Sequence, residues 1–121
     1  MEKTAKQTKT YKSVVIRIIN WVKKNTIIEP ADYSRWYVGV TNNPKVRKQG
    51  HKSKFGKEPY CFNPFYARTK NIALEIETYF HQKGMKEKDL KGNVKENSWY
   101  VYVFKKNKSF LDKIKTIFEV D

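Results

Sequence analysis

"YVGVTNNPKVRKQGH", residues 37–51, runs from an extended, β-branched stretch through an Asn-Asn-Pro step into a polar segment with helical character. Together with Arg35 and Trp36, Tyr37 to Thr41 has the aromatic and β-branched content of a strand. Asn42 and Asn43 supply a helix N-cap, and Pro44 suits the first helical position, where its missing N–H is harmless. A helix through about Lys54 follows from this reading. Gly50 inside it costs about 1 kcal/mol relative to alanine, so that helix is short and held by its neighbours. Four residues apart on it, Arg47 and His51 lie one turn above each other and present a guanidinium and an imidazole to one patch.

Upstream, Tyr11, Val14, Val15, Ile18, Ile19 and Val22 recur at helical spacing, with Lys12, Lys23 and Lys24 off the stripe. They predict an amphipathic helix whose apolar side is core. Residues 1–9 carry Lys3, Lys6 and Lys9 with almost nothing apolar, and read as a basic flexible tail. Downstream, CFNPFYART is a second extended candidate, confined by Pro64 to an edge or a bulge. Thr69 caps a helix with Ile72, Ile76, Tyr79 and Phe80 on its buried stripe and Gly84 at its stop. Residues 84–98 have no period and read as a surface loop, with His81 before them a surface residue. SWYVYVF, apolar on both faces, is expected as a covered central strand. Ser109 caps a last helix bearing Phe110, Leu111, Ile114, Ile117 and Phe118. Trp21, Trp36 and Trp99 all fall inside regular elements and read as core.

The 121 residues make one domain, 10–121, after the tail. With 39% hydrophobic and 15% aromatic residues the composition is that of a packed chain. Lysine and arginine total 26 against 12 acidic residues, a formal charge of +14. That surplus points to a polyanionic partner, nucleic acid first, because clustered cations release condensed counterions from a phosphate backbone. Cys61 is the one cysteine, which excludes an internal disulfide and a thiolate-rich zinc site and fits a reducing cytoplasm. The apolar run from Val14 to Val22 is broken by Arg17 and Asn20, so neither a signal peptide nor a membrane span is expected.

The stretch from Tyr37 to His51 resembles the GIY-YIG endonuclease superfamily. In that family a strand ending in Tyr-hydrophobic-Gly leads into a helix with an arginine and, one turn later, a histidine or tyrosine. Tyr37-Val38-Gly39 matches the second signature, Arg47 follows at the family's separation, and His51 follows Arg47. "TKNIALEIETYFHQKG" resembles the family's glutamate helix, with Ala73 four residues before Glu77. Glu75 is the rival, since both acids flank the apolar stripe. An asparagine near the next strand has its counterpart in Asn93 or Asn97. The first signature, a Gly-Ile-Tyr strand that pairs with the Tyr-Val-Gly strand, is not recognisable upstream, where TIIEPADYSR stands and only Tyr33 offers a substitute.

The resemblance covers roughly residues 35–104. It implies a small α/β fold, a short and mostly antiparallel central sheet flanked by helices, with extra N- and C-terminal helices. It further implies an endonuclease that hydrolyses DNA phosphodiester bonds with a divalent metal, Mg²⁺ or Mn²⁺, held by Glu77. Arg47 then stabilises charge at phosphorus, while Tyr37 and His51 orient or deprotonate the attacking water. Lys48, Lys52, Lys54 and Lys57, with Asn93, are the candidate nucleic-acid contacts around that site. The alternative is a nucleic-acid-binding module that kept the scaffold and lost turnover, since the tyrosine of the first signature is missing upstream.

Overall fold

The computed structural model describes residues 8–26, 32–55, 59–87 and 94–105. Helix α1, Lys9–Lys24, begins at Thr8, whose Oγ1 accepts from the Tyr11 amide at 3.0 Å. It ends with Lys23 and Lys24 in its last turn, where cations complement the helix dipole. A 3₁₀ turn, Tyr33–Arg35, leads into strand β1, Trp36–Thr41. Helix α2, Pro44–Phe55, follows at once. Strand β2 is Tyr60–Tyr66, helix α3 is Lys70–Gln82, β3 is Lys86–Glu87 and β4 is Tyr100–Lys105.

The strands form one sheet in the order β2-β4-β1-β3. The β2–β4 and β4–β1 pairs are antiparallel, and β3 adds a short parallel pair at the far edge. The chain is therefore a small α/β domain built on a mostly antiparallel sheet. Strand β4 is central and buried along nearly its whole length, as its two-faced apolar pattern requires. Strand β2 lies at an edge and its register shifts between Tyr60 and Asn63, so Pro64 avoids a central ladder. At that irregularity Cys61 has φ 57°, and the Trp21 indole donates to its carbonyl at 3.1 Å.

Alternation along the strands divides the side chains between two faces. Trp36, Val38 and Val40 of β1 join Val101 and Val103 of β4 in the main core, which α1 covers with Val14, Ile18 and Val22 and α3 with Ala73, Ile76 and Phe80. Tyr37, Tyr102 and Phe104 form a second buried cluster, joined by the partly buried Phe62. It is on this second cluster that α2 lays His51, 4.5 Å from the Phe104 ring centroid.

Two expectations need correction, and others fall outside the described residues. Where loop alone was expected after Gly84, Lys86 and Glu87 pair with Tyr37 and Val38; Gly84, at φ 115°, turns the chain out of α3 toward that edge, and two residues are too few to show a period. Trp36 is core, Trp21 is half-buried, but Trp99 precedes β4 and is 42% exposed. The helix expected after Ser109 and the basic tail's first residues lie outside the described residues.

Candidate active site

Asn43 caps α2 as its side-chain type suggests, its Oδ1 accepting from the Val46 amide at 3.2 Å. The cap sets the helix's first turn directly against the end of β1, since Thr41 Oγ1 also accepts from the Asn43 amide at 3.1 Å. From that start the helix carries Arg47, half-buried, and His51, which has 0% exposure. His51 is therefore not a solvated helix residue.

His51 Nε2 and the Tyr102 hydroxyl share a 3.0 Å hydrogen bond. Tyr102 is itself fully buried on β4, opposite Gly39 of β1. A Cβ at Gly39 would overlap the Tyr102 hydroxyl oxygen, so the ring crosses β1 through the space that glycine leaves. The glycine of Tyr-Val-Gly thus has a steric function here rather than a conformational one.

Burial drives the Tyr102 phenol well above its ordinary pKa, with the Arg47 guanidinium opposing and the Glu77 carboxylate adding to the rise. The phenol keeps its proton at neutral pH. More important for the geometry, Arg47 and Glu77 both act on the same hydroxyl, although one comes from α2 and the other from α3. Of the four groups, His51 and Tyr102 touch through their hydrogen bond, and Arg47 and Glu77 bear on Tyr102 through their charges. Tyr37 flanks them, its ring stacked on Phe104 at 5.0 Å and 9°, and Phe104 in turn contacts His51.

Periodicity could not choose between Glu75 and Glu77, but the packing separates them. Glu75 acts on the Tyr11 phenol of α1, whereas Glu77, two residues on, acts on Tyr102. Tyr33 packs against the main core, its ring 6.1 Å from that of Phe80. The side chain that occupies the position beside Tyr-Val-Gly is Tyr102, which no sequence reading singled out. Its signal was present in YVYVF, where Tyr100, Tyr102 and Phe104 alternate onto one face, but the strand's neighbours were not readable.

Of the expected nucleic-acid contacts, Lys48 and Lys52 are exposed on α2, with Lys48 Nζ 5.9 Å from the Phe62 centroid. The Lys54 side chain, Lys57 and Asn93 lie outside the described residues. Asn97 is exposed and its Oδ1 accepts from Asn42 Nδ2 at 3.3 Å, tying the loop before β4 to the turn before α2. His81 is half-buried where a surface residue was expected, because the chain turns back past α3 and brings the Met85 carbonyl to 3.1 Å from its Nδ1.

Among the described residues no three His, Cys, Asp or Glu side chains group as a metal cage. One carboxylate ligand, as Glu77 would supply, fits a hard, well-hydrated ion that retains most of its waters, as Mg²⁺ does, and does not fit an ion needing several protein ligands. No helix among the described residues is long and apolar enough to cross a membrane. No family model, curated protein or solved structure matches the chain.

Proposed function

We propose that the chain is a divalent-metal-dependent endonuclease of GIY-YIG type that hydrolyses DNA phosphodiester bonds. One observation carries this reading: the Tyr102 hydroxyl, hydrogen-bonded to His51, lies within the electrostatic reach of both Arg47 and Glu77. The resemblance called for a tyrosine on a strand paired with Tyr-Val-Gly, and β4 is such a strand, entering from the C-terminal side of the sequence instead of the N-terminal side. The motive for regarding the scaffold as inactive, an absent first tyrosine, is correspondingly weaker.

Phosphodiester hydrolysis needs a water stripped of a proton and donors aimed at the charge that develops on phosphorus. A neutral phenol accepts a proton from water only as it releases its own, and His51 Nε2 at 3.0 Å is placed to receive it. Once bound DNA uncovers Tyr102 and His51, both fully buried in this structure, the water's proton passes to the Tyr102 oxygen as the Tyr102 proton passes to Nε2; the hydroxide forms its bond to phosphorus, and the bond from phosphorus to the leaving oxygen breaks, that oxygen taking a proton from solvent. Arg47 offers a planar guanidinium to the phosphoryl oxygens. Tyr37, packed against Phe104, holds the wall against which the water is oriented. Glu77 would hold Mg²⁺ or Mn²⁺, which when bound offsets charge on the phosphoryl and leaving oxygens. Lys48 and Lys52 contact flanking phosphates and add affinity without reading bases.

The test is a nicking assay on supercoiled plasmid with Mg²⁺ or Mn²⁺, comparing the unmodified chain with Glu77→Gln and Glu75→Gln. Nicking is expected from the unmodified chain and from Glu75→Gln, and a loss of at least about 100-fold from Glu77→Gln with DNA binding retained. Binding without any nicking in the unmodified chain would leave the nucleic-acid-binding module as the better reading.

A further inference from the structure

Beyond the buried cluster, the aromatic ribbon on the second face of the sheet continues into solvent. Tyr66 at the end of β2 is 48% exposed and Trp99 just before β4 is 42% exposed. Their ring centroids are 6.5 Å apart at 74°, and Tyr66 also meets Tyr100 at 5.4 Å. The group is anchored by backbone, the Ala67 amide donating to the Trp99 carbonyl at 2.6 Å. Tyr66 in β2 and Trp99 just before β4 are large exposed aromatics that neither core packing nor helix capping explains.

Tyr66 pairs with Tyr100 of β4. Tyr100 and Tyr102 are alternate residues of β4 and share a face, which puts them about 7 Å apart along the strand. The surroundings are cationic: Arg68 is exposed immediately beyond β2, and the chain as a whole carries +14.

We infer that Tyr66 and Trp99 form a stacking platform for unpaired DNA bases adjoining the scissile phosphate, so that the substrate is DNA with a single-stranded segment at the cleavage point, a flap or a branch, rather than uninterrupted duplex. An aromatic face binds any base and needs the base out of its pair, while the cations at the rim neutralise the backbone. This rests on the nuclease reading for the word substrate, but its binding component stands without turnover.

The experiment measures equilibrium binding of the full chain, metal chelated, to three labelled DNAs: a single strand, a flap, and a perfect duplex. Trp99→Ala and Tyr66→Ala are each expected to weaken single-strand and flap binding about 5- to 100-fold and to leave duplex binding within twofold, with Trp99→Phe near the unmodified chain. In the unmodified chain, single-stranded DNA is expected to quench tryptophan fluorescence more than duplex does, since Trp99 is the exposed indole among Trp21, Trp36 and Trp99. The quench needs no variant and decides the matter if Trp99→Ala does not fold. Equal losses on all three DNAs, no loss on any, or no quench by single strand would overturn the platform. So would a concentration-dependent dimer abolished by Trp99→Ala with DNA binding intact, which would make the patch a contact between copies. Because metal is absent throughout, a failed platform leaves plasmid nicking unaffected, and failed nicking leaves these affinities readable.

Discussion

Gly39 and Tyr102 face each other across the antiparallel β1–β4 pair, and a Cβ at position 39 would approach within 2.5 Å of the tyrosine ring carbon Cζ. The ring can lie over β1 and meet His51 only because position 39 has no side chain. This contact joins a residue that reads as a strand glycine to one that reads as a core aromatic. Neither has an evident purpose until they are seen together.

Gly39→Ala should therefore expel the Tyr102 ring from its place. Overpacking of this kind costs about 1–3 kcal/mol, read as a lower urea midpoint with an unchanged m-value. Gly39→Ala combined with Tyr102→Ala should cost less than the sum of the two single changes, since the clash disappears with the ring. Strict additivity in that double-mutant cycle would contradict the steric account.

Tyr102 also makes a prediction about alkaline pH. Its folded pKa lies above the unfolded value, with burial the chief cause and Glu77 contributing against the opposing Arg47. Above about pH 10 the unfolded chain releases this proton while the folded chain retains it, so the unfolded state binds fewer protons and stability falls as pH rises. The contribution is whole below about pH 10 and is lost toward the raised value, with a slope of at most about 1.4 kcal/mol per pH unit. Urea titrations between pH 8.5 and pH 11.5 should show a steeper fall for the unmodified chain than for Tyr102→Phe. Parallel curves would exclude the effect. Tyr11 and Tyr33, also raised by burial, act in the same direction in both proteins and cancel in the comparison.

Helix α3 holds Glu77, and its first turn depends on Thr69, whose Oγ1 accepts from the Ile72 amide at 3.1 Å. Thr69→Ala should lower stability by about 1 kcal/mol, and Thr69→Asn or Thr69→Ser should restore most of it. The check is chemical denaturation of the three variants. A loss below a few tenths of a kcal/mol for alanine would show that packing of Ile72, Ala73 and Ile76 alone holds the helix start.

Local chemistry made most of the elements legible. The α1 stripe appears at Tyr11, Val14, Val15, Ile18 and Val22 as its spacing indicates, and the caps at Asn43 and Thr69 stand where short polar side chains precede apolar periodicity. Arg47 and His51 share a patch because four residues make about one helical turn. Such features depend on neighbours within a few residues, and a linear pattern records them.

Strand neighbours and facing choices are of another kind. That β4 pairs with β1, that Glu77 acts on Tyr102 while Glu75 acts on Tyr11, and that Trp99 stays in water are set by which surfaces meet after residues far apart in the chain pack together. The side-chain sequence by itself determined the helices Lys9–Lys24, Pro44–Phe55 and Lys70–Gln82, the central strand, the cationic balance and the Arg47–His51 spacing. Only the tertiary structure decided that Tyr102 lies over Gly39 and meets His51, because the partner of a strand is selected by burial and backbone hydrogen bonding across the whole sheet and leaves no mark on the residues between.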